Sequence, residues 1–213
     1  SVESSTTDRL KTFGYESNKT GFTIGSGFEY YDNLYLNLGT STYVEKLTTD
    51  SNASATLKKQ KGSYFDTFFN YTIDYDLRDQ KFQPTDGFRS RFTQNLPLIS
   101  ESYTLKNTYD LKFYNEWLNE SIASYGIFAS TINSLTGKDA KLSDRLFLPS
   151  SRLRGFEAGK VGPKDGTDYI GGNYALAFNA ATTLPQILPN LQNTNFSLFF
   201  DAENIWGVDY NSS

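Results

Sequence analysis

Cysteine, histidine and methionine are all absent from the 213-residue chain. Without cysteine there is neither a disulfide nor a thiolate metal site, and redox logic does not fix the compartment. Without histidine the commonest general base and the commonest metal ligand are missing. A hydrolase of the Ser/His/Asp kind cannot be assembled from these residues, so no enzyme, cofactor or metal site is expected. No methionine is present, and no basic stretch leads into an apolar run, so the chain reads as an internal segment of a longer protein. No run approaches 18 consecutive apolar residues, which excludes a transmembrane helix. The net charge is a mild −4. Basic residues do not gather around the aromatics, which argues against a nucleic-acid partner.

Aromatic residues are in excess. Seventeen Phe and 15 Tyr lift the aromatic share to 16% in a sequence whose mean hydropathy is only −0.51. A polar average with an aromatic excess has a specific physical source. In a membrane β-barrel every second residue faces lipid, the residues between face a polar interior, and aromatic girdles ring both interfaces.

The hydrophobic period is two, repeatedly. Phe22, Ile24, Phe28 and Tyr30 alternate with Thr23, Gly25, Gly27 and Glu29. Asp32-Asn33 is a turn signal, after which Leu34, Leu36, Leu38 and Val44 alternate with Tyr35, Asn37, Gly39 and Glu45. Phe65, Phe69, Tyr71, Ile73 and Tyr75 oppose Asp66, Phe68, Asn70 and Asp74. Runs from Phe88, Tyr103, Tyr174 and Phe196 repeat the pattern, and a short strand precedes Phe13. Apolar residues sit on both faces of 119–132, so that run leaves its facing open. The count is roughly nine strands of about 10–14 residues, long enough to cross a bilayer at a steep tilt. Soluble strands are usually about 5–6 residues long.

Connections alternate between short turns (32–33, 115–118, 185–194) and longer loops (49–62, 137–170), the pattern of short periplasmic turns and long external loops. The loop at 137–170 is too long to be a plain connector. It carries apolar anchors, Leu153, Phe156 and Val161, beside two arginines and several glycines. That composition predicts a loop that folds back into the barrel. The expected fold is therefore all-β, a transmembrane antiparallel up-and-down β-barrel. An odd strand number leaves unpaired edges that a membrane does not tolerate, so the barrel is expected to be partial.

Three segments resemble the Omp85 family of outer-membrane assembly barrels, the family that includes the bacterial surface antigen barrels. Leu153-Arg154-Gly155-Phe156, followed by Gly162-Pro163, is similar to the family's V-R-G-F/Y signature in the sixth external loop, with Leu153 for the usual Val. Arg78-Asp79-Gln80-Lys81-Phe82-Gln83-Pro84-Thr85-Asp86-Gly87 resembles its R-D-x-x-x-F-P-T-x-G periplasmic turn, with Gln83 inserted between Phe82 and Pro84. Gly171-Gly172-Asn173 looks like the opening of the strand after the signature loop. Asn18-Lys19-Thr20-Gly21 and Phe200-Asp201-Ala202-Glu203-Asn204-Ile205-Trp206 also fit. Taken alone, Arg154-Gly155-Phe156 is an ordinary turn tripeptide, and Pro84 and Gly87 are plain turn chemistry. In the family's order and on alternating strands, the set is specific.

The resemblance implies the fifth to thirteenth strands of a sixteen-stranded barrel. The lumen-inserted loop would be 137–170, and POTRA repeats would belong to the same parent chain. It also implies that Arg154 meets acidic residues on the two strands after the loop. The match on the second strand is Asp201, with Glu203 a candidate helper; on the first it is Ala181, which has no carboxylate. Gly155 would turn the chain and Phe156 would wedge against the wall. The implied activity is assembly of β-barrel proteins into the outer membrane of a Gram-negative-type bacterium. The implied partners are the lipid bilayer, unfolded outer-membrane clients and accessory lipoproteins. A secretion or autotransporter-export relative is the alternative, and a passive pore or surface-antigen barrel a further one. Trp117 and Trp206 read as interface anchors.

Overall fold

The computed structural model describes residues 2–9, 14–118, 121–184 and 196–208. Nine long strands form one antiparallel sheet in which sequence neighbours are sheet neighbours. They are β1 (Val2–Arg9), β2 (Tyr15–Tyr31), β3 (Leu34–Thr49), β4 (Gly62–Asp76), β5 (Gly87–Ile99), β6 (Thr104–Leu118), β7 (Ser121–Ser134), β10 (Tyr174–Thr183) and β11 (Ser197–Trp206). A short helix, α1 (Ala55–Lys59), lies between β3 and β4. A two-residue-per-strand hairpin, β8 (Lys164–Asp165) with β9 (Asp168–Tyr169), lies between β7 and β10.

The strands form where the period of two predicts them, because that period sorts the chain into two faces. Register carries the sorting from strand to strand. Phe28 lies opposite Leu36, Leu36 opposite Ile73, Ile73 opposite Phe92, and Phe92 opposite Tyr109. The result is an apolar stripe across five strands, β2 to β6. Phe22, Ile24, Phe28, Val44, Phe65, Phe113, Ile127, Leu176, Phe178, Leu198 and Phe200 are all exposed on this face. A contiguous apolar surface of that extent marks contact with lipid or a partner.

Aromatic rings gather at both ends of the strands. At the turn end Tyr75, Phe88 and Phe113 sit ring to ring, with centroids 5.8 and 5.5 Å apart. At the other end Tyr174 stacks on Trp206 at 5.9 Å. Trp117, at the turn end of β6, donates its indole N–H to Thr182 Oγ1 at 2.8 Å.

Two expectations about the connections change. The turn expected at 115–118 is still strand: β6 runs to Leu118 through a bulge between Glu116 and Leu118, and β7 begins at Ser121. The strand continues through Trp117, and residues 119–120 lie outside the described residues. The turn expected at 185–194 lies outside the described residues, as does Phe13. Over 121–132 the open facing is settled by pairing, while 119–120 lie outside the described residues. Ile127 lies opposite Phe178 and Tyr125 opposite Ala180, so both share the apolar face, while Phe128 and Ile132 take the other. That other face accepts apolar side chains here because the long loop covers it.

The loop between β7 and β10 packs in two places. Near the strand ends, Leu142 and Ile170 are fully buried with Tyr15, Leu47, Ala53 and Leu57. Ser54 caps α1 by accepting from Leu57 N at 3.2 Å, and its hydroxyl donates to Asp165 Oδ2 at 2.5 Å. On the sheet's polar face, Ala140, Leu146 and Leu148 bury against Ile132, Ala175, Ala177 and Ile205. Burying each Leu or Ile is worth roughly 1.5–3 kcal/mol. Alanines on β10 leave room for the loop.

Candidate functional site

The site is the seam between this loop and the polar face. Arg154 lies in the loop, and Asp201 points from β11 toward it. The Arg154 guanidinium donates from Nε to Asp201 Oδ2 at 2.7 Å and from Nη2 to Oδ1 at 2.6 Å. The Arg154 backbone N–H adds a third bond to Oδ2 at 3.0 Å. Asn179 Nδ2 supplies the fourth, to Oδ1 at 2.8 Å. An ionised carboxylate offers about four acceptor sites, and all of Asp201's are taken. Its side chain is 3% exposed, against 36% for Arg154. The buried partner is thus the carboxylate, held by a bidentate fork that fits it geometrically.

Gly155 has φ +86°, and no atom lies within 4 Å of where its Cβ would be. The left-handed backbone, rather than crowding, is what selects glycine there. Phe156, the next residue, is 61% exposed. Phe156 therefore does not wedge against the described strands. The ring that meets the arginine is Phe199 of β11, 3.9 Å from the guanidinium carbon, a cation–π contact.

The cradle differs from its expected form in two more ways. Glu203 does not assist: Arg154 pairs with Asp201 alone, and Glu203 Oε2 is buried with no hydrogen-bond partner among the described residues. With Asp201 already holding both ends of the fork, nothing draws the guanidinium along to it. On β10 the second partner is Asn179, not Ala181. Register sets Asn179 opposite Asp201 and Ala181 opposite Phe199. An amide keeps the hydrogen bond without adding a second negative charge. Asn179 Nδ2 also donates to the Arg152 carbonyl at 2.6 Å, fixing the loop backbone just before Arg154. Arg152 itself pairs with Asp110 of β6 and lies over the Phe128 ring at 4.3 Å.

Gly171 and Gly172 close the loop. Leu146 N donates to Gly172 O at 2.9 Å, and Gly172 N to Leu146 O at 3.1 Å. A Cβ on Gly171, whose φ is +67°, would sit 2.6 Å from Leu146 O; one on Gly172 would sit 2.6 Å from Trp206 O. Asn173 N then donates to Trp206 O at 3.0 Å, and β10 begins.

The motif at 78–87 forms a turn at the far end of the strands, away from this seam. Arg78 makes a two-pronged bond to Asp76, both distances 2.7 Å. Asp79 accepts from Thr85 N at 3.0 Å, from Thr85 Oγ1 at 2.7 Å and from Asp86 N at 3.2 Å. The Thr85 hydroxyl is the main reason the Asp79 carboxyl lies below the ordinary aspartate range. The inserted Gln83 takes a left-handed φ of 49°, and Gln80 Nε2 caps its carbonyl at 2.7 Å. Phe82 is 79% exposed and Pro84 half-buried. Gly87 has φ +93°, and a Cβ there would lie 2.1 Å from Leu77 O.

Sequence reasoning missed a second ionic cluster at the seam. Lys141, 4% exposed at its side chain, lies 3.3 Å from Glu45 Oε2 and against Asp66, and both carboxylates are fully buried. Asp144 Oδ2 is 3.7 Å away. The neighbouring Leu142 N donates to Gln60 Oε1 at 2.6 Å.

The family model for the Omp85 superfamily domain matches residues 1–213. The chain belongs to the Omp85 superfamily. The outer membrane protein assembly factor BamA of Neorickettsia risticii is 24% identical over 201 residues, covering 92% of this chain and 27% of that protein. A SAM50-like protein of Schizosaccharomyces pombe is 29% identical over 147 residues, 62% of this chain and 30% of its own length. The sorting assembly machinery 50 kDa subunit of Saccharomyces cerevisiae is 26% identical over 172 residues, 75% of this chain and 34% of its own length. The chain thus spans about a quarter to a third of these Omp85-type relatives. Its fold matches BamA of Haemophilus ducreyi lacking POTRA domains 1–3, with TM-score 0.77 and 19% identity over 97% of this chain and 45% of that one.

Proposed function

We propose that this chain is part of the wall, with the inner loop, of an outer-membrane barrel that assembles other β-barrel proteins into the membrane. The observation that carries the reading is the covered polar face. A diffusion pore needs that face open, whereas here a long loop is pinned across it at Asp201, Asp110, Glu45 and Asp66. The assembly role in the relatives' names supports insertion over secretion. The exposed apolar face and the aromatic ends of the strands support a bilayer around it.

On this reading the protein works without an enzymatic step or cofactor. A nascent strand must satisfy its backbone bonds before it meets lipid, and a barrel edge can offer pairing for it. The segment corresponds to strands five to thirteen and serves as wall and strut rather than as the accepting edge. Unfolded barrel proteins are its clients, with POTRA repeats in the same parent chain and accessory lipoproteins as partners. A Gram-negative-type outer membrane is the bacterial version of the proposal. The yeast relatives make fractionation of the source cell the test of that part.

Depleting the full-length protein from its own cell tests the function. The expected result is that outer-membrane barrels accumulate unfolded, read as loss of their heat-modifiable folded form. Normal barrel folding alongside retention of one secreted protein would replace this reading with the secretion alternative.

A further inference from the structure

The Lys141 cluster stands apart from the arginine motif. Lys141 comes from the first leg of the loop and reaches β3 and β4, through Glu45 and Asp66, whereas Arg154 reaches β11. In the sheet β4 and β11 are separated by β5, β6, β7 and β10. At about 4.8 Å per strand, the two anchor points lie roughly 24 Å apart along the sheet.

The cluster is built to hold one ammonium. Glu45 Oε1 accepts from Ser17 Oγ at 2.5 Å, leaving Oε2 to Lys141. Asp66 Oδ1 accepts from Ser100 Oγ at 2.6 Å, leaving Oδ2 to Lys141. The Tyr64 ring lies 5.0 Å from Nζ. Lys19 adds a second cation, 3.7 Å from Glu45 Oε2 and 4.0 Å from Asp144 Oδ1. Lys106 lines the same cavity as Lys19 and Asp144. Two cations, Lys141 and Lys19, therefore pair with three carboxylates, Glu45, Asp66 and Asp144. Burial alone would push the Lys141 ammonium down, but Asp144, Glu45 and Asp66 outweigh it and hold it above the ordinary lysine range.

We infer that Lys141 is a positioning residue, forming with Glu45, Asp66 and Asp144 a second lock on the loop, and that the loop is a strut fastened at both ends. The arginine lock holds the tip to β11, and the lysine lock holds the base to β3 and β4. Each end is released only by its own lock. This does not rest on the assembly reading, because the test reads the loop's position and not the protein's activity.

Distances between paired spin labels in the full-length protein in detergent micelles test it. A common reference label sits at Phe82, exposed in the opposite turn. A second label sits at Asp139, beside the lysine lock, or at Ala158, beyond the arginine lock. Lys141→Met is expected to abolish the narrow distance peak from Asp139 and keep the one from Ala158. Arg154→Ala is expected to do the reverse, and Lys141→Arg to restore the Asp139 peak. Should Lys141→Met fail to accumulate, the triple variant Lys141→Met/Glu45→Gln/Asp66→Asn removes the stranded charge and is read in its place. An unbroadened Asp139 peak in the variant read, or equal broadening at both ends, overturns the two-lock strut.

Discussion

The turn at 77–86 and the loop at 135–173 each join two long strands, but they satisfy their polar groups in opposite ways. The turn closes mainly on itself, with lighter contacts outside it from Lys81 to the Tyr35 ring at 5.7 Å and from Arg78 to Tyr114. Asp79 takes its hydrogen bonds from Thr85 and Asp86, Gln80 caps Gln83, and Arg78 returns to Asp76. The loop instead uses the wall. Lys141 goes to β3 and β4, Arg152 to β6 and Arg154 to β11. A turn that closes mainly on itself costs its neighbours little when it changes. A loop that draws partners from distant strands makes its own order and the order of the sheet one property.

That contrast can be broken most sharply at Arg154. Arg154→Ala strands a carboxylate that is 3% exposed, and should cost on the order of 3 kcal/mol in chemical unfolding of the full-length protein. In a double-mutant cycle with Asp201→Ala, the two losses should fall well short of adding. Additive losses would mean that the pair is not coupled. A smaller effect is expected at Gly171, where Ala must adopt φ +67° beside Leu146 O. The cost should exceed about 1 kcal/mol and appear as faster proteolysis of the loop.

In the turn the effects should be local. Asp79 has a depressed carboxyl value, so its contribution is complete above the ordinary aspartate value of about 3.9 and is lost as pH falls through the lower folded value. Amide exchange at Thr85 and Asp86 should therefore be protected from neutral pH to about 4 and lose protection below it. Asp79→Asn should remove that acid step. The smallest effect belongs to Phe82→Ser. The side chain is 79% exposed, and unfolding should shift by no more than about 0.5 kcal/mol. A larger shift would mean that the turn also relies on a partner.

The strands were legible because alternation is a local signal that register only has to preserve. The pairing of Arg154 with Asp201 was legible through the family resemblance, which marks both ends, and strand facing agrees with it. Three features were not. Lys141 sits in an ordinary polar stretch, and its partners Glu45 and Asp66 lie 96 and 75 residues away in sequence; no spacing rule links them. The exposure of Phe156 is a matter of tertiary placement that the letters R-G-F do not encode. That Asn179, and not Ala181, lies opposite Asp201 is a two-residue matter of register, which only the observed pairing with β11 decides. The facing of β7 was ambiguous because its polar-side partner is the loop, which supplies apolar contacts to Phe128 and Ile132.

The buried group of Ile132, Ala140, Leu146, Leu148, Ala175, Ala177 and Ile205 has a consequence for the sequence of events during biogenesis. It joins β7, the loop, β10 and β11, more than a third of the chain, in one group that can shed water without any lipid. A ring closed first would have to admit charged Lys141, Arg152 and Arg154 through its mouth before they found their carboxylates. Docking the loop while the sheet is still open avoids that barrier. In pulse-labelled chains the loop should therefore become protease-resistant before the barrel resists unfolding by detergent; the opposite order would mean that the loop threads in last.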